Sequence, residues 1–288
     1  MIAALQKQLH KPTPLSAAEK EAYLRRLMRE MGRVLVAYSG GVDSSYLALI
    51  ATQELGRKAL CVMGLSPSVS EFQRTEAANT AKLESFNFQT TETGEIANPD
   101  YSSNPQNRCY FCKSELYDKL SKLAAEKQIE FVIDGTNADD LGDHRPGRTA
   151  AEERKVASPL AAAGFTKVDI RQLSKLHGLS GWDKPASPCL SSRIAYGVPV
   201  TIKRLSQVET AEDFLRSEGF KEFRVRVHGD LARIEIARGE LERAMNMELL
   251  ERITAALKAL GFRYVTLDLE GFRSGAMNTA AADSKRLK

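Results

Sequence analysis

The sequence predicts a two-part protein: an α/β domain built on a parallel sheet with helices on both faces, followed by a small α+β domain. Three observations predict it. Short apolar runs alternate with helical patterns as far as about residue 200, the rhythm of a covered parallel sheet. One run, Val34–Tyr38, leads straight into the glycine-rich turn Ser39-Gly40-Gly41-Val42-Asp43-Ser44 and then a helix. From about Thr201 the order becomes helix, two strands, helix, strand. The expected domains are residues 1–200 and 201–288, a natural division for a chain of 288 residues.

Each element has a local cause. Ser16-Ala17-Ala18-Glu19 reads as a capping box opening a helix that ends near Gly32. After the strand at Val34–Tyr38, Tyr46, Leu47, Leu49 and Ile50 recur at helical spacing within Ser45–Leu55. Next come a strand at Ala59–Gly64, a helix from about Ser70 to Leu83, and a strand at Phe86–Thr91. A helix after Arg108, a strand at Phe131–Asp134 and a short helix at Ile170–Leu176, capped by Asp169, complete the first domain. In the second, helix Ile202–Ser217 stops at Gly219, and strands Glu222–Val227 and Ala232–Ile236 flank the turn His228-Gly229-Asp230-Leu231. Helix Glu240–Leu260 ends at Gly261, and strand Tyr264–Leu269 closes the unit. There is no internal repeat, and the small polar tail after Asn278 is expected to fray.

Composition narrows the class. Hydrophobic residues make up 43% and charged ones 27%, as in ordinary globular proteins. A net charge of +4 suits an anionic small molecule and is too weak to argue for nucleic acid. No apolar run reaches the roughly 18 residues of a membrane helix, and Met1–Lys7 lacks a signal peptide's apolar stretch, so a cytoplasmic protein is expected. Four cysteines in a chain this long point to metal or catalytic use rather than a disulfide framework.

Two motifs carry chemistry. In the glycine-rich turn, Gly40 and Gly41 let backbone N–H groups approach a phosphate, and Ser39, Ser44 and Ser45 add hydroxyl donors at a helix N-terminus. No Gly-Lys-Ser/Thr is present, so this is not a Walker-type loop. SGGVDS resembles the PP-loop of N-type ATP pyrophosphatases, which cleave ATP between its α and β phosphates; an ordinary turn of small residues is the alternative. The second motif is Cys109-Tyr110-Phe111-Cys112, with Cys189 far along the chain. A lone C-x-x-C can be a zinc half-site or a redox pair, but no second C-x-x-C follows and none of the four histidines is spaced as a partner. Three thiolates instead leave one iron of a [4Fe–4S] cluster without a protein ligand. Cys61, mid-strand, reads as a buried structural thiol.

Charged residues leave choices open. Arg224 and Arg226 share one strand face, roughly 7 Å apart, and either clamp an anion or lie on a solvated face. Asp139, Asp140 and Asp143 follow a strand's carboxyl end, and serve either Mg²⁺–ATP or the anchoring of Arg145 and the loop. Trp182 reads as a packing anchor.

Over nearly its whole length the chain resembles the LarE family of ATP-dependent sulfur transferases. The resemblance rests on SGGVDS, the Arg108–Lys113 segment, Asp134–Asp140, Asp143–Gly147, Cys189–Gly197, Arg224-Val225-Arg226 and Thr266–Gly275. It implies adenylation of a carboxylate of pyridinium-3,5-biscarboxylic acid mononucleotide, then sulfur insertion, for a nickel-pincer cofactor. One version of the family sacrifices a single cysteine, which Cys189 matches; the other loads sulfide on a three-cysteine cluster. Cys109 and Cys112 place this chain with the second. The resemblance then implies Cys109, Cys112 and Cys189 as cluster ligands, Ser39, Gly40, Gly41, Asp43, Ser44 and Ser45 around ATP, with Asp43 placing Mg²⁺ or orienting the loop's own N–H groups. It implies Lys113 steadying the adenylate and Ser192, Arg193, Glu212, Arg224 and Arg226 around the substrate. Lys113 and Glu212 can instead be solvent-facing, and Arg193 a structural ion pair. The implied partners are the pyridinium nucleotide and sulfide or a sulfur-donor system, with no nucleic acid and no membrane, in a homo-oligomer with a hexamer among the options. A cluster-dependent PP-loop tRNA thiolase, a PP-loop amidotransferase with a structural metal, and a nucleotide sensor are the competing readings.

Overall fold

Side chains alternate along the central strand: Val34 and Val36 enter one apolar layer and Leu35 the other, and all three are fully buried. The computed structural model describes residues 15–142, 146–185 and 187–273. The expectations for Asp143, His144, Arg145, the Ser274-Gly275 end of the C-terminal motif and the tail after Asn278 therefore lie outside the described residues.

In chain order the elements are α1 (Ala17–Met31), β1 (Val34–Ala37), α2 (Val42–Leu55), β2 (Ala59–Leu65), α3 (Glu71–Leu83), β3 (Asn87–Glu92), α4 (Pro99–Ser102), α5 (Arg108–Glu126) and β4 (Phe131–Ile133). Then follow α6 (Pro146–Glu153), α7 (Pro159–Ala162), α8 (Lys167–Leu176), α9 (Ile202–Ser217), β5 (Phe223–His228), β6 (Leu231–Ile236), α10 (Leu241–Ala244), α11 (Met247–Ala259) and β7 (Tyr264–Leu267). They fall into two compact units. One runs through Asn98 and resumes at Asn107–Ser187; the other takes Pro99–Gln106 and the chain from Pro188 on.

In the first unit all pairings are parallel, in the order β3-β2-β1-β4, with Val34 opposite Ala59 on one side and Phe131 on the other. Leu24, Met28, Leu47, Ile50, Ile170 and Leu173 from α1, α2 and α8 cover one face; Tyr117, Leu120, Ala150 and Ala151 from α5 and α6 cover the other. The expected α/β class is therefore the observed one. In the second unit β5 and β6 form an antiparallel hairpin and β7 joins β6 in parallel, with α9 and α11 supplying Leu205, Val208, Leu215, Ile253 and Leu257 to its core. Pro99–Gln106 belongs to this unit because the buried Asn104 side chain donates to the carbonyls of Ala195 and Val198, both at 2.8 Å.

Two local expectations need correction. Thr166, not Asp169, caps α8: its hydroxyl accepts from the Asp169 N–H while Asp169 reaches back, so the helix starts at Lys167. The expected helix Glu240–Leu260 is two helices, because the Asn246 side chain accepts from the Leu249 N–H and caps α11 afresh. Three short helices, α4, α6 and α7, each begin at a proline whose missing N–H costs nothing in a first turn.

Two glycines fix the loop after β1. Gly40 has φ +74°, and a Cβ there would lie 2.5 Å from the Ala77 Cβ of α3. A Cβ on Gly135, just past β4, would lie 2.9 Å from the Ser44 backbone nitrogen of α2. Gly135→Ala is therefore expected to destabilise the protein by about 1–3 kcal/mol, through a forced separation of backbone from backbone. Urea unfolding checks this, and an unchanged midpoint would count against the close approach.

Candidate functional site

The strand order places a topological switch between β1 and β4: the chain leaves β1 toward β2 on one side and returns at β4 on the other. Ligands of such sheets bind in the crevice at the carboxyl ends flanking this point. SGGVDS occupies that end of β1. Its serines brace the loop: the Ser39 N–H donates to Ser44 Oγ at 3.2 Å, and the Ser44 hydroxyl donates to the Gly41 carbonyl at 3.1 Å. Gly41 gives α2 no side-chain cap, whereas Ser16, Ser70, Thr166, Thr201 and Asn246 cap α1, α3, α8, α9 and α11. The first amides of α2 thus keep donor capacity for an anion.

Asp43, in the first turn of α2, faces two partners. Lys167 Nζ lies 2.6 Å from Asp43 Oδ1, and Asn137 Nδ2 donates to Asp43 Oδ2 at 3.4 Å. Lys167 was not singled out from sequence. The signal was the box Thr166-x-x-Asp169, which puts this lysine at the first helical position.

The loop after β4 is held from within. Asn137 Oδ1 accepts from the N–H groups of Asp139 and Asp140 at 2.9 and 3.3 Å, and Asp140 Oδ2 accepts from the Asn137 N–H at 3.1 Å. Asp139 Oδ2 accepts from the Lys167 N–H at 2.7 Å. Of the two roles expected for Asp139 and Asp140, these bonds perform the second, the fixing of the loop. Asp134 is buried and takes hydrogen bonds from the hydroxyls of Tyr117, Ser158 and Thr136 at 2.8, 2.7 and 3.0 Å.

Tyr117 in turn lies under Lys113, whose Nζ is 5.2 Å from the ring centre. Lys113 is half-buried rather than solvent-facing, and Tyr117, Asp134 and Cys112 push its pKa up, so it stays an ammonium. Cys109 and Cys112 sit in the first two turns of α5, which like α2 has no side-chain cap, at Asn107. Three residues apart, they share a helix face; Cys109 is exposed and Cys112 half-buried. Cys61 is fully buried in β2, and burial alone pushes its thiol up to about 12, which makes it inert. Trp182 packs against Lys175, whose Nζ is 4.6 Å from its ring.

In the second unit Cys189 precedes a short 3₁₀ turn, Leu190–Arg193, with its Sγ 2.9 Å from Ser191 Oγ. Arg193 is 3% exposed and reaches back: it donates to the Pro188 carbonyl and, at 3.0 Å, to the Cys189 carbonyl. It also donates to Ser192 Oγ at 3.1 Å. Glu212 on α9 holds that guanidinium with bonds of 2.9 and 3.1 Å, and accepts from the Val225 N–H at 3.2 Å. Glu212 is therefore a buried partner of Arg193, not a solvent-facing glutamate.

Arg224 and Arg226 are 9% and 6% exposed, which removes the solvated-face reading of their strand. Arg226 binds Glu235 Oε2 at 2.9 Å and the Ser192 carbonyl at 3.1 Å. Arg224 stacks over Phe272 with 4.8 Å to the ring centre, and burial, then Arg193 and Arg226, push its pKa down to about 10. It remains charged at neutral pH. Arg193 and Arg226 are paired with Glu212 and Glu235, and both Glu212 and Glu222 act on the charge of Arg224. Glu235 was missed from sequence, although Arg233-Ile234-Glu235-Ile236 alternates as a half-charged strand should.

Among the described residues of either unit, no three His, Cys, Asp or Glu side chains are gathered to hold a metal ion. Within the first unit the donor set at Cys109 and Cys112 nevertheless fits half of a thiolate-ligated iron–sulfur site, two sulfurs on one helix face. Asp43, a carboxylate in the first turn of an uncapped helix, fits the oxygen chemistry of Mg²⁺.

No family model matches the chain. Individual relatives do. A protein of Lactiplantibacillus plantarum named pyridinium-3,5-bisthiocarboxylic acid mononucleotide synthase is 37% identical over 262 residues, covering 91% of this chain and 94% of that protein. The chain belongs to the LarE family. Uncharacterized proteins of Synechocystis sp. and Methanocaldococcus jannaschii share 45% and 32% identity over 88% and 84% of the chain, and over 95% and 91% of their own lengths. This LarE-family chain is accordingly an enzyme, and none of its described helices is long and apolar enough to cross a membrane.

The Arg193–Glu212 pair generates a stability prediction. Its side chains are 4% and 7% exposed, so removing either partner strands a buried charge. Arg193→Met is expected to cost about 3–5 kcal/mol. Guanidinium unfolding measures it, and a loss below that of a surface ion pair would show the pair to be hydrated.

Proposed function

We propose that this enzyme inserts sulfur into pyridinium-3,5-biscarboxylic acid mononucleotide, using ATP to activate a carboxylate. The observation that carries the reading is the coexistence of two anion-ready arrangements. One is an uncapped helix behind SGGVDS; the other is a group of buried arginines wrapped around the Cys189 segment. The name of the plantarum relative supplies the substrate class.

A carboxylate resists nucleophiles until its oxygen becomes a leaving group. The N–H groups of Gly40, Gly41 and the first turn of α2 bind the polyphosphate, and Asp43 places Mg²⁺ beside it. In-line attack of the substrate carboxylate on the α-phosphorus breaks the α–β bridge, giving an acyl-adenylate and pyrophosphate. Lys113 balances negative charge on that adenylate. Arg224 and Arg226 hold the substrate phosphate, while Arg193, locked by Glu212, presents Cys189 and Ser192. Cys109, Cys112 and Cys189 would hold a [4Fe–4S] cluster, and that group would supply the sulfide that displaces AMP from the activated carboxyl carbon. Sulfide or a sulfur-donor system would supply that sulfur, and the enzyme works in the cytoplasm as a homo-oligomer, a hexamer among the options.

Two experiments test this reading. ATP with the pyridinium biscarboxylate is expected to give AMP and pyrophosphate, and Asp43→Ala to lose that activity with its fold intact. ADP and orthophosphate as products would remove the PP-loop assignment. Iron, sulfide and intact mass after turnover decide the sulfur source. The expected result is cluster loss in Cys109→Ala, Cys112→Ala and Cys189→Ala, with constant polypeptide mass in the unaltered enzyme. A mass loss of about 34 Da, one H₂S, with Cys189 becoming dehydroalanine, would show sacrificial nucleophilic use of that cysteine instead.

A further inference from the structure

The C-terminal stretch Thr266–Gly275 starts in β7, and its described part returns to the charged face of the second sheet. Arg224 pairs with Glu235 and Arg226 with Arg233 across β5 and β6, and Arg233 pairs with Thr266 on β7, so these side chains share one face. Asp268, two residues past Thr266, joins that face, with its Oδ2 3.6 Å from Arg233 Nε. Phe272 then comes to lie against Arg224, its ring centre 4.8 Å from the guanidinium carbon. We propose that Phe272 is a positioning residue for the substrate phosphate: its ring holds the Arg224 guanidinium in the orientation in which that side chain meets the mononucleotide. The inference rests on the reading of Arg224 as a phosphate ligand and brings the C-terminal stretch into that subsite.

Three features support it. First, the backbone that carries the ring is pinned along β6. The Asp268 and Phe272 N–H groups donate to the carbonyls of Ile234 and Ile236 at 2.8 and 2.9 Å, and the Gly271 N–H donates to the Asp268 carbonyl at 3.0 Å. Gly271 turns the chain at φ +74°, and a Cβ there would lie 2.7 Å from the Ile236 carbonyl oxygen, so this docking requires glycine. Second, the same stretch reaches the other arginine of the strand. Asp268 faces Arg233, which binds Glu235 Oε1 at 2.9 Å, while Glu235 Oε2 binds Arg226 at 2.9 Å. Third, the support given to Arg224 differs in kind. Glu212 and Glu235 hold Arg193 and Arg226 by their N–H edges, whereas Phe272 meets the face of Arg224. A ring fixes the guanidinium plane without neutralising it and without engaging the in-plane N–H groups that a phosphate oxygen meets. Phe272 is half-buried, which strengthens such a contact, and a guanidinium oriented beforehand loses less freedom when the anion binds.

The test uses the full chain without ATP, so that no turnover occurs, and two probes: pyridinium-3,5-biscarboxylic acid mononucleotide and its nucleoside, which lacks the phosphate. Calorimetry is expected to show Phe272→Leu weakening the mononucleotide by about threefold or more relative to the nucleoside, as for loss of a partly desolvated cation–π contact. Phe272→Tyr keeps the ring and should hold the mononucleotide's affinity to within about twofold. Adding Phe272→Leu to Arg224→Ala should deepen the loss by less than about twofold, because the ring acts through that arginine. A ring that merely packs would weaken both probes together, or would add its full effect in the double variant, and either result overturns the inference. Phe272→Met gives the same comparison should Phe272→Leu not fold. If the unaltered chain binds both probes alike, or Arg224→Ala leaves the mononucleotide's affinity unchanged, the phosphate reading of Arg224 falls and this inference with it. A selective loss in Arg224→Ala with none in Phe272→Leu removes Phe272 alone.

Discussion

The first unit depends on one close approach, the passage of the backbone after β4 against the first turn of α2. Strand order brings β4 beside β1, so the loops leaving both carboxyl ends must share one crevice. They can do so because residue 135 has no side chain: the Ser44 nitrogen occupies the space a Cβ would need. The groups around Asp43 follow from that contact. It brings Asn137 to Asp43, and Asp139 to the start of α8, so that a lysine distant in sequence reaches the phosphate loop.

The second unit is governed by a different constraint, the satisfaction of buried charge. Isolated guanidiniums cannot be desolvated without partners, and here each is recruited to shape backbone as well as to carry charge. Arg193 donates to carbonyls on both sides of the Cys189 peptide unit, Arg226 to the carbonyl of Ser192. The thiol is thereby held on a braced turn. Glu212 serves both purposes, since it pairs with Arg193 and also accepts from the backbone of β5.

The four cysteines separate by environment. Cys61 faces an apolar layer of the sheet and is kept a neutral thiol. The other three are outside the core, on an uncapped helical turn and on the arginine-braced segment. Long helices without a side-chain cap begin at SGGVDS and at the C-x-x-C segment, where the sequence places its two chemical motifs. Elsewhere serine, threonine or asparagine already occupies the amide donors.

Much of this was legible in the chain. Alternation of apolar residues with period two and 3.6, capping boxes at Ser16 and Ser70, and a glycine turn after an apolar strand are local signals, and local backbone physics acts on them directly. They determined the fold class, the succession of strands and helices, and the place of the SGGVDS turn between β1 and α2. Where two local signals competed, the sequence misled: Asp169 and Thr166 both look like caps, and Asn246 hides inside an apolar helical pattern. Long-range pairing was beyond its reach. Whether Arg224 and Arg226 meet water, whether Glu212 is a partner or a surface charge, and which cation attends Asp43 all depend on residues far apart in the chain. Only the packed tertiary structure decided them, because burial and charge pairing are properties of neighbours in space, and sequence spacing says nothing of those neighbours.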